Sequence, residues 1–201
     1  MKIYFCNILK IPDSDLYCWY NDMSCERKEA VKKLLVPHKQ KLKIAADHIC
    51  RKAVSEFCGI SPDQIRFSFG ECGKPYAVGL DVHFSISHSG DYAVCAVSDK
   101  EIGIDIEKIR EINPKTFERF ASEKEIGYIS SHQNGLFEIW TLKEAYFKCV
   151  GTGIGTDIKN VSFDITENGI LCSEKGFVCR FVGVDSNYIF AICESNKQAT
   201  V

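Results

Sequence analysis

Hydrophobic and polar residues alternate along the chain with two different periods, one typical of strands and one typical of helices. Apolar runs rich in β-branched residues predict strands over residues 2–9, 83–87, 92–97, 102–106, 176–184 and 188–193. Apolar residues at three- and four-residue spacing predict helices over residues 26–36, 40–57, 117–130 and 137–150. Gly151 follows the last of these, as expected at a helix C-terminus. The pattern therefore predicts an α+β protein.

A short similarity within the chain bears on its organisation. Residues 91–98 (DYAVCAVS) and 187–194 (NYIFAICE) match in residue type at most positions. Two buried strands that follow similar turns would give this match, and so would a duplicated αβ half. Duplication predicts halves of residues 1–100 and 101–201, and the lack of a Pro- or Ser-rich linker predicts that they pack as one unit.

Composition and charge exclude several classes of protein. A hydrophobic content of 45% in 201 residues supports a sizeable core. The 25 Lys and Arg against 27 Asp and Glu, a net charge of −2, argue against a chain whose main task is to cover nucleic acid. Residues 26–52 nevertheless hold nine basic and three acidic residues, a local net charge of +6. Such a density either keeps a helix soluble or attracts a polyanion.

The cysteines and the start of the chain indicate a compartment. None of the eleven Cys forms a Cys-x-x-Cys motif, and many lie in apolar runs, so we expect reduced, buried thiols. The first twelve residues are typical of a strand and not of a signal peptide. No run approaches the roughly 18 apolar residues of a membrane span. These features predict a cytoplasmic protein without membrane association.

Two carboxylates interrupt the apolar run at residues 102–107. Because side chains two apart on a strand share a face, Asp105 and Glu107 would lie roughly 7 Å apart, with Ile104 and Ile106 facing the core. Adjacent carboxylates repel unless a cation or proton neutralises them, and oxygen ligands of this kind suit Mg²⁺. The alternatives are a metal site and the exposed face of an edge strand.

The helix over residues 137–150 has two occupied faces. One carries apolar residues, and the other combines aromatic residues with an acid and a base: Trp140, Glu144, Phe147 and Lys148. Glu144 and Lys148 at i,i+4 spacing form either a solvated ion pair or part of a pocket wall.

A second chemical candidate lies at residues 83–90. Ser85 and Ser87 would share one strand face, followed by a turn at His88, Ser89 and Gly90. Hydroxyls, an imidazole and turn amides can together bind a phosphate. The rival is a Ser-His hydrolase, against which stands the lack of a Gly-x-Ser-x-Gly elbow. A lysine held on a turn at residues 73–75, together with the basic segment, favours a small phosphorylated ligand.

Four motifs in this order resemble the 4′-phosphopantetheinyl transferases, specifically the long, monomeric type that activates surfactin synthetase. They are GKP at 73–75, FSISHSG at 84–90, GIDIE at 103–107 and WTLKEAYFK at 140–148. The resemblance implies two similar αβ halves related by a pseudo-twofold axis, with the active site in the cleft between them. It also implies transfer of 4′-phosphopantetheine from coenzyme A to a serine of an acyl or peptidyl carrier protein, with release of 3′,5′-ADP.

The resemblance further implies roles for individual residues. Asp105, Glu107 and Glu144 would hold Mg²⁺, and Lys148 would neutralise a phosphate oxygen. Glu144 is also the candidate for taking the serine proton. Ser87 and His88 would contact the phosphates of coenzyme A, and Lys74 with Pro75 would line the adenine side.

Two segments need further assignment. Relatives have an arginine where this chain has Leu42, so Lys43 or Lys41 would supply the charge for the 3′-phosphate. The segment after the carboxylate strand carries basic and aromatic residues that suit an acidic carrier protein, or else form an ordinary helix with a core face. These residues are Lys108, Arg110, Lys115, Phe117, Arg119 and Phe120. The rival functions are a non-catalytic coenzyme A or nucleotide-binding module and a carrier-binding module.

Overall fold

A computed structural model of the chain describes residues 1–196, so the last five residues of the predicted second half lie outside the described residues. The helices are α1 (Asp13–Asp22), α2 (Cys25–Lys32), α3 (Pro37–Cys58), α4 (Glu123–Ser131) and α5 (Gly135–Val150). The strands are β1 (Lys2–Asn7), β2 (Phe67–Phe69), β3 (Pro75–Ala77), β4 (His83–Ser89), β5 (Tyr92–Ser98), β6 (Ile102–Lys108), β7 (Phe163–Thr166), β8 (Gly169–Cys172), β9 (Phe177–Phe181) and β10 (Tyr188–Ser195).

The two long helices are confirmed, and two other helix predictions need correction. The helix predicted over residues 26–36 ends at Lys32, and Val36 is extended because it precedes Pro37. A single helix over residues 117–130 is wrong. A short 3₁₀ helix covers Pro114–Arg119, and α4 starts afresh where Glu125 accepts a hydrogen bond from the Ser122 backbone N–H at 2.7 Å.

All the predicted strands occur at the predicted positions, but several begin or end at other residues. His88 and Ser89 belong to β4 rather than to a turn, because Ser89 pairs with Tyr92 and leaves Gly90 and Asp91 as a two-residue hairpin loop. Gly90 has φ +56°, which suits such a loop. The prediction did not include α1 or the short strands β2, β3, β7 and β8.

The strands form two main antiparallel sheets that pack face to face. The orders are β1-β5-β4 and β6-β10-β9-β8-β7, and β2 and β3 form a separate hairpin. Helix α3 covers the first sheet and α5 covers the second. Between the sheets lies a third apolar cluster that includes Val94, Ile104, Ile106 and Phe190. The α+β prediction is therefore confirmed.

The strand register relates the two halves to each other. Asn7 of β1 lies opposite Tyr92 of β5, and Lys108 of β6 lies opposite Tyr188 of β10. A residue of β1 thus corresponds to the residue 101 positions later in β6. The rings of Tyr92 and Tyr188 meet between the sheets, with centroids 4.9 Å apart. This correspondence favours duplicated halves over similar turns alone.

The long helices end in the same way. Gly59 after α3 and Gly151 after α5 are both left-handed C-caps. The division into residues 1–100 and 101–201 stays a prediction; it falls in the turn that joins β5 to β6.

None of the helices in the described part of the chain combines the length and the apolar character needed to span a membrane.

Candidate active site

The seam between the two sheets runs along β4 and β6. The hydroxyl oxygens of Ser85, Ser87 and Ser89 accept hydrogen bonds from the backbone N–H groups of three β6 residues, at 3.1, 3.4 and 3.1 Å. These donors are Ile104, Ile106 and Lys108. Serine side chains, and not a main-chain ladder, therefore hold these two strands together.

Helix α5 lies directly on β6 because Gly103 has no side chain. A Cβ at this position would come within 1.9 Å of the Ala145 carbonyl oxygen on α5. The close approach brings the second face of α5 over the carboxylates of β6.

Asp105 is buried at the centre of the seam, with 4% of its surface exposed. Its Oδ1 accepts hydrogen bonds from Lys148 Nζ and from Ser87 Oγ, both at 2.6 Å. Burial raises the pKa of Asp105, and the Lys148 ammonium opposes that rise. The exposed-edge interpretation is therefore wrong.

Glu107 lies at the other end of the carboxylate face. Its Oε2 accepts hydrogen bonds from Ser89 and Arg110 at 2.9 and 3.1 Å. Its Oε1 faces Trp140 Nε1 of α5 at 3.3 Å. The same helix face therefore contacts Glu107 through Trp140 and Asp105 through Lys148.

Glu144 lies on α5 midway between Trp140 and Lys148, one turn from each. Burial raises its pKa to about 7, and the negative charges of Asp105 and Glu107 contribute to this rise. Within residues 1–196 its carboxylate has no hydrogen-bond or ion-pair partner. Since Lys148 pairs with Asp105, the solvated Glu144–Lys148 pair is not formed.

The donor set fits a hard divalent cation. Asp105, Glu107 and Glu144 lie near enough for their charges to interact, and the second oxygen of Asp105, Oδ2, is buried without a hydrogen-bond partner among the described residues. A cation would supply that missing partner. In the described part of the chain no group of three or more His, Cys, Asp or Glu side chains is assembled closely enough to hold a metal. Binding would therefore require these side chains to draw together, with Lys148 releasing Asp105.

A basic cavity of about 350 Å³ opens on one side of Glu144 and Lys148. Lys43 and His88 line it, as does Arg27, which the sequence analysis did not single out. Arg27 reaches it from α2 because buried Asp47 holds its Nε at 2.7 Å. The positive charge of residues 26–52 indicated an anion site in this segment. Which of its residues reach the cleft depends on the packing of α2 against α3.

The choice between Lys43 and Lys41 follows from α3. Lys43 lines the basic cavity, whereas Lys41 pairs with Asp13 at 2.6 Å and lines a different surface depression. Leu42 is buried in the first core cluster. Lys43 is therefore the residue placed to contact an anion in the cleft.

A more apolar cavity of about 370 Å³ opens on the other side of Glu144. Lys74, Pro75, Phe84 and Phe147 line it. The Lys74 ammonium donates to the Cys149 carbonyl at 2.8 Å and pairs with Glu101, so its turn is fastened to the end of α5. Pro75 lines both cavities.

Ser87 and His88 separate at the seam. Ser87 is buried and bonded to Asp105, Ile106 and Lys148, while His88 is exposed and lines the basic cavity. The Ser-His hydrolase alternative lacks its hydrogen-bonded pair. The assignment of both residues to the phosphates of coenzyme A stays a prediction.

A third cavity, of about 440 Å³, adjoins Glu107 and Trp140. Its walls are mainly apolar, and its lining includes two arginines. The residues that line it include Arg110, Arg119, Phe120, Phe137, Trp140 and Ile158.

Comparisons with known proteins agree with this arrangement. Residues 101–193 match the 4′-phosphopantetheinyl transferase superfamily, and residues 13–100 match the 4′-phosphopantetheinyl transferase N-terminal family. The Bacillus subtilis 4′-phosphopantetheinyl transferase ffp is 31% identical over 182 residues, which are 85% of this chain and 81% of that protein. The transferase Sfp of Bacillus subtilis (strain 168) is 28% identical over 185 residues, 87% of this chain and 83% of that protein.

A third relative, the transferase gsp of Aneurinibacillus migulanus, is 39% identical over 121 residues; this match spans 58% of the present chain and 51% of gsp. The family matches over both halves and the named relatives place the chain among the enzymes that transfer phosphopantetheine. The chain belongs to the 4′-phosphopantetheinyl transferase family, of the type that includes Sfp, so the resemblance predicted from its motifs is confirmed.

Proposed function

We propose that the chain moves the 4′-phosphopantetheine group of coenzyme A to a serine hydroxyl of an apo carrier protein and releases 3′,5′-ADP. The observation that carries the proposal is the placement of Asp105, Glu107, Glu144 and Lys148 along one seam beside a basic cavity. Phosphoryl transfer mainly requires positioning and neutralisation of charge, and these groups can provide both.

Asp105, Glu107 and Glu144 would hold Mg²⁺. When bound, the cation would neutralise negative charge on the pyrophosphate of coenzyme A. Lys148 is 31% exposed at the cleft and would exchange its bond to Asp105 for one to a phosphate oxygen.

Glu144 would take the proton of the carrier serine. Its carboxylate has no partner within the described residues, and a pKa of about 7 places its ionisation close to neutral pH. The serine oxygen forms a bond to the β-phosphorus, and the bond from that phosphorus to the oxygen of 3′,5′-ADP breaks.

Coenzyme A would lie along the two cavities that flank Glu144. Arg27, Lys43 and His88 would contact its phosphates, and Lys74 with Pro75 would line the adenine side. The support for this placement is the excess of positive charge in one cavity and the apolar character of the other.

The carrier protein would dock at the third cavity, since its serine must reach the carboxylate seam and Glu107 belongs to both. Carrier proteins are generally acidic, which Arg110 and Arg119 complement. Lys108 contributes less than the sequence suggested, because it pairs with Asp91 at 3.0 Å. Phe120 is buried and lines the cavity, whereas Phe117 packs against the core.

Charge reversal at Lys115 and Arg119 tests this docking surface. We expect Lys115→Glu with Arg119→Glu to raise the KM for the carrier by about tenfold, because like charges would then oppose each other. Affinity for coenzyme A should stay unchanged. The control is reversal of Lys10 and Lys175, two exposed lysines outside both the third cavity and the segment of residues 108–120 beside it. A change in coenzyme A binding alone would reject the dock.

The activity itself has a direct test. Incubation with coenzyme A, Mg²⁺ and an apo carrier should increase the carrier mass by one phosphopantetheine group, and a chelator should prevent the increase. Binding of coenzyme A without a mass increase would support a nucleotide-binding module. Binding of the carrier with neither coenzyme A binding nor a mass increase would support a carrier-binding interaction module. Because carrier identity depends on surface contacts, a panel of apo carriers is required.

We further propose that the protein acts as a monomer in the cytoplasm. One chain provides residues of the cleft from both β4 and α5, and all cysteines of residues 1–196 are free thiols, which suits a reducing compartment. Gel filtration of the purified protein tests the monomer.

A further inference from the structure

Two fully buried charges lie behind the proposed active site. Lys143 of α5 and Glu125 of α4 have no exposed surface, and Lys143 Nζ lies 2.9 Å from Glu125 Oε2. Lys143 precedes Glu144 in sequence but points away from the cleft, into the second core.

Every polar atom of this pair has a partner. Lys143 also donates to the carbonyl oxygens of Ile158 and Val161, at 2.9 and 2.5 Å. Glu125 also accepts the backbone N–H groups of Ser122 and Phe163, at 2.7 and 3.0 Å. The pair thus joins α5, the start of α4 and the segment that leads into β7.

A buried ion pair adds little net stability compared with apolar residues of similar volume, because both charges must leave water. Its distinct effect is on geometry, since each bond fixes the direction of a particular backbone group. The backbone groups fixed here belong to two walls of the third cavity.

One wall is the segment held by Lys143. The Ile158 carbonyl binds the ammonium while the Ile158 side chain lines the cavity. The other wall is Phe120, which lies two residues before Ser122, whose N–H is bound by Glu125. Trp140 also lines the cavity and packs against the Phe120 ring, with ring centroids 5.0 Å apart.

We propose that Lys143 and Glu125 are positioning residues for carrier recognition: their buried ion pair sets the distance between the Ile158 and Phe120 walls of the cavity beside Glu107. The occupant is an apolar side chain of the acidic carrier protein, which the arginines of the cavity complement. This inference rests on the proposed function.

The main test is the double variant Lys143→Met with Glu125→Gln, which removes both charges and leaves no unpaired buried ion. We expect the KM for the carrier to rise about tenfold, with the rate at saturating carrier and the affinity for coenzyme A within about twofold of the wild type. The carrier used is the apo carrier that the wild type modifies fastest.

Two single variants provide a matched comparison. The backbone carbonyls of Ile158 and Val161 bind the same ammonium, and both side chains are buried, but only Ile158 lines the cavity. We expect Ile158→Ala to raise the KM for the carrier. Val161→Ala should lower the melting temperature without a change in KM. These variants keep the inference testable should the double variant fail to fold.

Other outcomes would overturn the inference. Lower stability with an unchanged carrier KM in the double variant and in Ile158→Ala would show a purely structural pair. A change in the KM for coenzyme A alone would mean that the cavity holds part of that substrate. Titration of the apo carrier without coenzyme A separates this inference from the proposed transferase function. A wild type that binds the carrier but does not modify it would contradict the transferase function. The carrier affinities of the variants would still decide the inference about the ion pair.

Discussion

Replacement of Asp105 by asparagine will abolish phosphopantetheine transfer, with a fall in kcat/KM of about a thousandfold or more. Asparagine keeps the shape of the side chain and can still accept the hydrogen bond from Ser87, but it loses the negative charge. It therefore cannot offer the anionic oxygen pair that a divalent cation requires. Carrier mass after incubation with coenzyme A and Mg²⁺ measures the loss.

The folded state of this variant should survive. Burial disfavours the ionised form of Asp105, as its raised pKa shows, so removal of the charge also removes a cost of folding. Lys148 loses its partner but is partly exposed and can turn to water. Thermal unfolding should therefore show a melting temperature within a few degrees of the wild type, and collapse of the fold would void the interpretation of the lost activity.

The other half of the molecule provides a matched control. By the strand register Tyr4 occupies in β1 the place of Asp105 in β6. Glu56, three residues before Gly59, occupies the place of Lys148, three residues before Gly151. Tyr4 donates to Glu56 at 2.7 Å. Tyr4→Phe should cost about 1 kcal/mol of stability and leave transfer unchanged. Substantial transfer by Asp105→Asn, or its loss in Tyr4→Phe, would contradict the assignment of the seam.

Replacement of Glu144 by glutamine should lower kcat by about a hundredfold to a thousandfold, the contribution of a positioned general base. At limiting Mg²⁺ the wild-type rate should fall as the pH drops below about 7, because protons then compete with the cation for Glu144. The glutamine variant should lack this dependence. Initial rates between pH 5.5 and 8.5 measure both effects, and an unchanged pH profile in the variant would assign the titration to another group.

The Glu144→Gln substitution should lower activity but raise the stability of the folded chain above neutral pH. The pKa of Glu144 is raised from 4.5 to about 7 on folding, so between these values the folded chain binds more protons than the unfolded chain. The wild type therefore loses stability as the pH rises through this interval. Without divalent cation, the free energy of unfolding of Glu144→Gln at pH 8 should be about 1 to 2 kcal/mol higher than that of the wild type, after allowance for solvent at this partly exposed group.

Denaturant unfolding at pH 4.5 and pH 8 in the presence of a chelator checks this order. The advantage of the variant should nearly vanish at the lower pH, where Glu144 is protonated in the folded state and half protonated in the unfolded state. Added Mg²⁺ should stabilise the wild type and not the variant, since only a folded chain with its carboxylates binds the cation. Equal stability of variant and wild type at pH 8 would contradict the half-buried, unpartnered environment of Glu144.

The long helices and the central strands could be predicted from the sequence, because each buries one face and the apolar period records that face. The break at residues 120–122 was not visible in the same way. Phe117, Phe120 and Ala121 keep the three- and four-residue spacing of a helix. The chain nevertheless turns here so that Phe120 and Ala121 enter the core, and α4 begins at Glu123. Short strands such as β7 and β8 lack enough residues to show a period.

The sequence by itself determined which side chains share a face: Asp105 with Glu107 on a strand, and Trp140 with Glu144 and Lys148 on a helix. Such placement depends only on the two- and 3.6-residue repeats of the local backbone. Only the tertiary structure decided that Lys148 pairs with Asp105, that the serines of β4 bind the backbone of β6, and that Arg27 and not Lys41 reaches the cleft. These contacts join residues far apart in the chain, and they depend on the close approach of α5 at Gly103 and on the packing of α2 against α3, which no local repeat encodes.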